Sequence, residues 1–280
     1  MIFYKMQGAG NDFIIINNMK QEIPPEKYSG LAKRLCTRKL SIGADGLMVV
    51  EKPQKGGAIM MRLFNADGSE AEMCGNGARC ISRYVYEEGI DREHITIETI
   101  AGDVVSERLS KRSYKIKLQR AGVIKEGRTV EVAGKKYEYT YIELGNPGIP
   151  HIVVEMPGLK DPDKEKLRVL GRQLRYHADF PKGTNVNFYE TLDSNSVLLL
   201  TYERGVEDFT FACGTGSGST ALSLKLGGKL QGNSLKLNVP GGLLIVDLKQ
   251  TEGGEYDLYL TGDTNFIAKG EVLDEDLGSF

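Results

Sequence analysis

The sequence predicts an α/β (α+β) protein of two matching halves, each a curved mixed sheet or barrel around a central helix. Three observations predict it. Cys74 opens the run CGNGAR and Cys213 opens CGTGSG, half a chain apart in 280 residues. Short strand-like runs recur along both halves, set apart by many of the 34 glycines. Helical patterns are few, and one in each half begins at a cysteine–glycine loop.

In the first half, strands are expected at Phe13 to Asn17, Gly46 to Val50, Met60 to Phe64, Ile95 to Glu98 and Tyr114 to Leu118. The last alternates apolar and polar residues, as a half-exposed strand does. A helix is expected from Pro25 to Cys36 after a Pro-Pro start. A second runs from Gly77 to Gly89, with Ile81, Tyr84 and Val85 on one face and Gly89 as its stop.

The stretch Arg120 to Thr129 reads as the crossover between halves. Beyond it, strands are expected at Tyr139 to Leu144, His151 to Glu155, Val186 to Tyr189, Ser196 to Tyr202, Leu235 to Val239, Leu243 to Leu248 and Glu255 to Leu260. Helices are expected at Asp163 to Leu174 and Gly216 to Leu226, the latter ended by Gly227-Gly228. Both cysteine helices are apolar and rich in small residues, so each should be buried inside its sheet. A Gly-Asn pair lies well before each cysteine, at Gly10-Asn11 and Gly145-Asn146. A strand ending in a polar residue comes closer, at Asn65 and Glu203.

Composition narrows the functions. The net charge of −2 gives no electrostatic case for nucleic acid or a membrane surface. The start Met1-Ile2-Phe3-Tyr4-Lys5 lacks the basic and long apolar regions of a signal peptide, and no apolar run suits a membrane helix, so a cytoplasmic protein is expected. The four cysteines, Cys36, Cys74, Cys80 and Cys213, are then expected as thiols. The three histidines form no cluster and the cysteine spacing suits no zinc site, so no metal is expected.

Paired glycines after each cysteine let the chain turn tightly into a helix N-terminus. A thiol there ionises more easily. Backbone N–H groups of Gly75, Asn76, Gly214 and Thr215 are candidate donors to an α-carboxylate. They would also stabilise charge spreading onto that carboxylate as the α-carbon loses its proton. One cysteine, as thiolate, would remove the proton; the other, as thiol, would return one from the opposite face. Three other readings stand beside this one: two buried structural cysteines, one nucleophilic cysteine, or a redox pair.

Gly8-Ala9-Gly10-Asn11-Asp12-Phe13, the run NADGSEAEMCGNGARC from Asn65 to Cys80, GTNVNF from Gly183, YERG from Tyr202 and ACGTG from Ala212 resemble diaminopimelate epimerases. The resemblance implies a cofactor-independent enzyme interconverting LL- and meso-2,6-diaminopimelate, for lysine and peptidoglycan synthesis. It implies two pseudo-symmetric domains, residues 1–120 with 265–280 and residues 121–264, and usually a homodimer. Cys74 and Cys213 carry over as the acid–base pair. Asn11, Asn65, Asn146, Asn187, Glu203 and Arg204 carry over as substrate-binding residues, with His151 as a possible auxiliary. The distal carboxylate of the substrate suits the Arg204 fork and the distal ammonium suits Glu203.

Three places depart from the family pattern. Gly148-Ile149-Pro150 intervenes between Asn146-Pro147 and His151. The stretch from Arg204 to Cys213 is one residue longer than expected, and Asp263-Thr264 stands where Pro-Ala is usual. The first two touch substrate-reading loops, so a racemase of the same fold acting on another amino acid, such as histidine, is the alternative. A binding protein that kept the fold is a third reading, but it would not need two thiols.

Overall fold

A computed structural model of the chain describes residues 1–92, 95–145 and 147–273. They divide into two compact units, Met1–Ile116 with Gly262 onward, and Lys117–Thr261. The borders fall a few residues before those expected from the sequence.

In the first unit, Ile2–Gly8 pairs antiparallel with both Asn11–Asn17 and the last strand, Tyr256–Glu271. Asn11–Asn17 runs parallel to Gly46–Glu51, which pairs antiparallel with Ile59–Asn65. Ile59–Asn65 runs parallel to Ile95–Thr99, and two antiparallel steps follow, to Gly102–Arg108 and Ser113–Lys117. Ser113–Lys117 pairs with Tyr256–Glu271 and closes the circuit into a barrel. Helix α1, Tyr28–Cys36, follows a short turn of 3-10 helix at Pro25–Lys27. Its buried residues Tyr28, Leu31, Ala32, Leu35 and Cys36 lie on one stripe. That stripe covers Ile14, Ile16, Leu47 and Val49 of the parallel pair it connects.

The second unit repeats this plan. Lys135–Leu144 pairs antiparallel with Ile149–Glu155, which runs parallel to Asn185–Asp193. Asn185–Asp193 pairs antiparallel with Ser196–Glu203, which runs parallel to Ser234–Val239, and Gly242–Gln250 follows antiparallel. Helix α3, Lys164–Arg175, covers the parallel pair as α1 does, seating Leu167 and Leu174 on Ile152, Val154, Val186 and Phe188. Its N-cap Asp163 accepts from the Lys166 N–H at 3.1 Å.

The cysteine helices are the other two. Counting in chain order, α2 spans Gly75–Glu87 and α4 spans Gly214–Leu226. Every residue from Asn76 to Val85, and from Gly216 to Leu224, is buried. Burial on all sides means that each helix lies inside its own sheet rather than on it. Thr220, Ser217 and Ser82 donate to carbonyls four residues back, while Ser219 Oγ is buried with no partner among the described residues. No described helix is long and apolar enough to cross a membrane.

Arg120 to Thr129 is not a crossover loop. It lies in a twelve-residue strand, Ala121–Val132, that forms a hairpin with Lys135–Leu144. Ala133 and Gly134 turn that hairpin with positive φ at both positions, the geometry of a primed turn.

Candidate active site

Each cysteine is the N-cap of its helix. Cys74 has φ −136° and ψ 123°, Cys213 has φ −117° and ψ 115°, and both are extended. The first intrahelical bonds run from Ala78 N–H to the Cys74 carbonyl (2.8 Å) and from Ser217 N–H to the Cys213 carbonyl (2.9 Å). The N–H groups ahead of them, on Gly75, Asn76, Gly214 and Thr215, stand outside the helical ladder, where an anion can meet them. No cysteine is in a disulfide. Among the described residues no three His, Cys, Asp or Glu side chains gather to hold a metal.

Around Cys74 the surroundings are polar and ordered. Buried Arg79 donates from Nη2 to Asn76 Oδ1 at 2.7 Å, and Asn76 Nδ2 donates to Asn11 Oδ1 at 2.5 Å. Asn11 Nδ2 donates in turn to Asp45 Oδ2 at 3.0 Å. Asp45 and Asp12 cross-brace the loop ahead of Gly46–Glu51, with Arg38 on both carboxylates and Lys5 on Asp12. Burial works to raise the Asp12 carboxyl, but Arg38 and Lys5 outweigh it and hold it below its ordinary value. Asn65 ends its strand exposed, its Nδ2 donating to Ser69 Oγ at 3.0 Å. Asp67-Gly68 is the turn behind it, with Gly68 at φ +82°.

The surroundings of Cys213 are tighter. Its Sγ accepts from the Gly216 N–H at 3.4 Å and lies 3.5 Å from Thr215 Oγ1. Asn187 is fully buried. Its Nδ2 donates to the Ile152 carbonyl at 2.9 Å and to His151 Nδ1 at 3.2 Å, while Thr201 donates to its Oδ1 at 2.9 Å. These bonds fix the amide and make Nδ1 an acceptor, so the His151 proton sits on Nε2. Burial drives His151 down to about 3, with Arg204 adding to it, so the ring is neutral. Its Nε2 is buried with no partner among the described residues.

Glu203 ends the strand Ser196–Glu203, and burial raises its carboxyl above the ordinary value. Arg204 follows it exposed, with its backbone N–H on Asn185 Oδ1 (2.8 Å) and Nη1 on the Lys182 carbonyl (3.1 Å). The longer loop after Arg204 folds into a turn. Glu207 has φ +59°, its N–H meets the Glu203 carbonyl at 2.8 Å, and Arg175 pairs with its carboxylate at 3.0 Å. His151 lies within the strand Ile149–Glu155, opposite Asn185. Asn146 lies outside the described residues.

Four residues at these sites escaped sequence reading: Asp45, Arg79, Asn185 and Thr201. Only Arg79 carried a signal, a charge in a helix expected to be buried.

The sequence profile of the diaminopimelate epimerase family matches residues 3–121 and 144–267. The chain belongs to that family. Diaminopimelate epimerase of Caldanaerobacter subterraneus subsp. tengcongensis is 36% identical over 97% of this chain and 99% of its own. That of Aquifex aeolicus is 35% identical over 99% of each, and that of Archaeoglobus fulgidus 38% identical over 96% and 95%. Among solved structures, a Bacillus anthracis phenazine biosynthesis protein of the PhzF family superposes with a TM-score of 0.76. It is 15% identical and covers 98% of this chain and 99% of its own, so it speaks to fold alone. A probable proline racemase from Agrobacterium radiobacter K84 gives 0.69 at 15% identity, covering 99% of this chain and 95% of its own. The family's fold is thus the one described above, a mixed sheet around a central helix, twice.

Proposed function

We propose that this chain interconverts LL- and meso-2,6-diaminopimelate by moving a proton at the α-carbon between two sulfurs. The observation that carries the reading is that Cys74 and Cys213 hold the same place, the N-cap of a helix buried in its own sheet, in a member of this family. The substrate's α-carboxylate takes the N–H groups of Gly75, Asn76, Gly214 and Thr215. One sulfur, as thiolate, accepts the α-proton, and the electron pair left on carbon delocalises into the carboxylate those donors hold. The other sulfur gives its proton to the opposite face, and the roles reverse with direction.

Asn11, Asn65, Asn146 and Asn187 read or align the substrate's polar groups; Asn187 acts by fixing His151 and the α4 entrance. His151 offers a neutral Nε2 donor. Arg204 takes the distal carboxylate, and Glu203 the distal ammonium once that cation draws it into its charged form. Needing both ends met would reject shorter amino acids, because unpaired groups in the site are costly. A cytoplasmic homodimer serving lysine and peptidoglycan synthesis belongs to the same proposal.

The test is exchange in heavy water. LL-diaminopimelate should gain one deuterium at the α-carbon as it converts to the meso isomer. A panel of L-amino acids treated alike, histidine included, reads specificity. Faster exchange with histidine than with diaminopimelate would replace the substrate assignment. Exchange with no amino acid would remove the enzyme reading.

A further inference from the structure

Arg79 is the largest side chain to be wholly buried among the described residues. It sits in the second turn of α2, with Nη1 on the Gly75 carbonyl at 3.3 Å and Nη2 on Asn76. Its Nε is buried with no hydrogen-bond partner among the described residues. A guanidinium so placed is strongly disfavoured unless a nearby anion answers it. Burial pulls Arg79 below its ordinary value, and the groups that act against this are Cys80, Cys74 and Asp263.

Two of the three are poor counter-charges. Burial pushes the Cys80 thiol up to about 12, so it is neutral near pH 7. Asp263 is exposed and lies 4.0 Å from Arg112. The other charged groups packed about α2 make contacts of their own, though Arg83 Nε and Arg108 Nε also lack a hydrogen-bond partner among the described residues. Lys5 pairs with Asp12 at 2.8 Å. Arg83 donates to the Thr264 carbonyl at 2.6 Å and lies 3.6 Å from Glu87. Glu98 is held by the N–H groups of Gln54, Lys55 and Gly57. Arg108 stacks on Tyr86, and Glu72, two residues ahead of Cys74, faces solvent. The third is Cys74, half-buried at the N-cap of the same helix.

We propose that Arg79 is a positioning residue whose buried charge holds Cys74 as the thiolate in the resting protein. The thiol's proton goes to solvent. The same guanidinium orients Asn76 and, through it, Asn11. The second half has no such device: the matching residue, five past Cys213, is Gly218, where a Cβ would meet Leu118, Leu144 and Leu258. The inference deepens the two-sulfur reading and rests on it only for what the thiolate is used for.

The pH dependence of Cys74 alkylation by iodoacetamide tests it, read by mass on the Cys74 peptide of the full chain without substrate. In the wild type the midpoint should fall roughly one pH unit or more below the ordinary thiol value of ~8.5. Arg79→Lys keeps the charge and should keep most of that shift. Arg79→Gln keeps a hydrogen-bonding group without charge and should raise the midpoint by about one pH unit, a tenfold loss of thiolate near neutrality. An ordinary midpoint in the wild type, or one that Arg79→Gln leaves unmoved, overturns the proposal. Should the Gln variant fail to fold by circular dichroism, the wild-type and Lys midpoints decide. A low midpoint beside absent diaminopimelate turnover would sink the substrate reading and leave this one standing.

Discussion

The two cysteine helices share a backbone and differ in what surrounds it. Both begin on an extended N-cap cysteine and run thirteen residues within a sheet. Around α2 the sequence buries a cation and an asparagine relay, Arg79 to Asn76 to Asn11 to Asp45. Around α4 it buries small residues and a neutral imidazole clamped by Asn187. A duplicated scaffold thus carries two unlike electrostatic settings. The backbone fixes where each sulfur stands within its unit; the side chains set the polarity around it.

The comparison is tested most severely by removing each sulfur. Cys74→Ala and Cys213→Ala should each lower epimerisation by about a thousandfold or more, the scale of a lost general acid or base. Circular dichroism should stay unchanged. Exchange of the α-proton from LL substrate and from meso substrate, measured separately in each variant, sharpens this. Each variant should lose exchange most from the isomer whose proton its missing sulfur removed. Equal residual exchange from both isomers in both variants would mean the halves do not divide the labour.

A smaller effect separates the two helix entrances. Gly77 and Gly216 are each three residues past their cysteine. A Cβ on Gly216 would run into Asn187 Oδ1, an atom fixed by Thr201. On Gly77 it would meet Met48 Sδ at 3.1 Å, a flexible neighbour that can give way. Gly216→Ala should therefore cost about 1–3 kcal/mol in urea unfolding and weaken activity. Gly77→Ala should lie within about 1 kcal/mol of the wild type, as helix propensity offsets the crowding. Equal losses would show that the two entrances are packed alike.

Much of this was legible in the chain. Glycine pairs after Cys74 and Cys213 marked both helix starts, although the helices begin two residues earlier than periodicity gave, because the loop glycines are themselves helical. Five strands were not legible, two of them only two residues long, at Glu70–Ala71 and Asp208–Phe209. Ile2–Gly8 shows neither clean alternation nor a turn signal before it. Gly102–Arg108 is largely polar, and Ala121–Val132, with two glycines and several charges, reads as a linker. Its hairpin partner supplies the order, through a turn at Ala133-Gly134 that lacks the usual Asn-Gly signal. At the site, the residue types of the cysteine loops could be read locally. Who clamps whom could not: Asn187 to His151 and Asn76 to Asn11 span 36 and 65 residues. Such pairings are set by which strands lie beside the helix, and sequence spacing does not contain that.

The gentlest difference is acid sensitivity. His151 is buried and neutral, lowered from 6.5 to about 3 on folding. The unfolded chain therefore takes up this proton first, and the stability it represents is full above pH 6.5 and is lost as pH falls toward 3, at up to about 1.4 kcal/mol per pH unit. Asp12, near Cys74, is lowered from 3.8, so its contribution is full above that value and is lost as pH falls below it. Glu203 pulls the other way, since its raised carboxyl favours the folded state in acid and that gain fades as pH rises. Urea unfolding between pH 4.5 and 7, compared for the wild type and His151→Gln, isolates the histidine because Glu203 and Asp12 are common to both. The variant should be the less stable at pH 7, where it leaves Asn187 poorly matched, and the gap should narrow steadily below pH 6.5. Parallel pH profiles would mean that His151 is reached by protons in the folded state, and the buried neutral imidazole would then be lost from the contrast with Arg79.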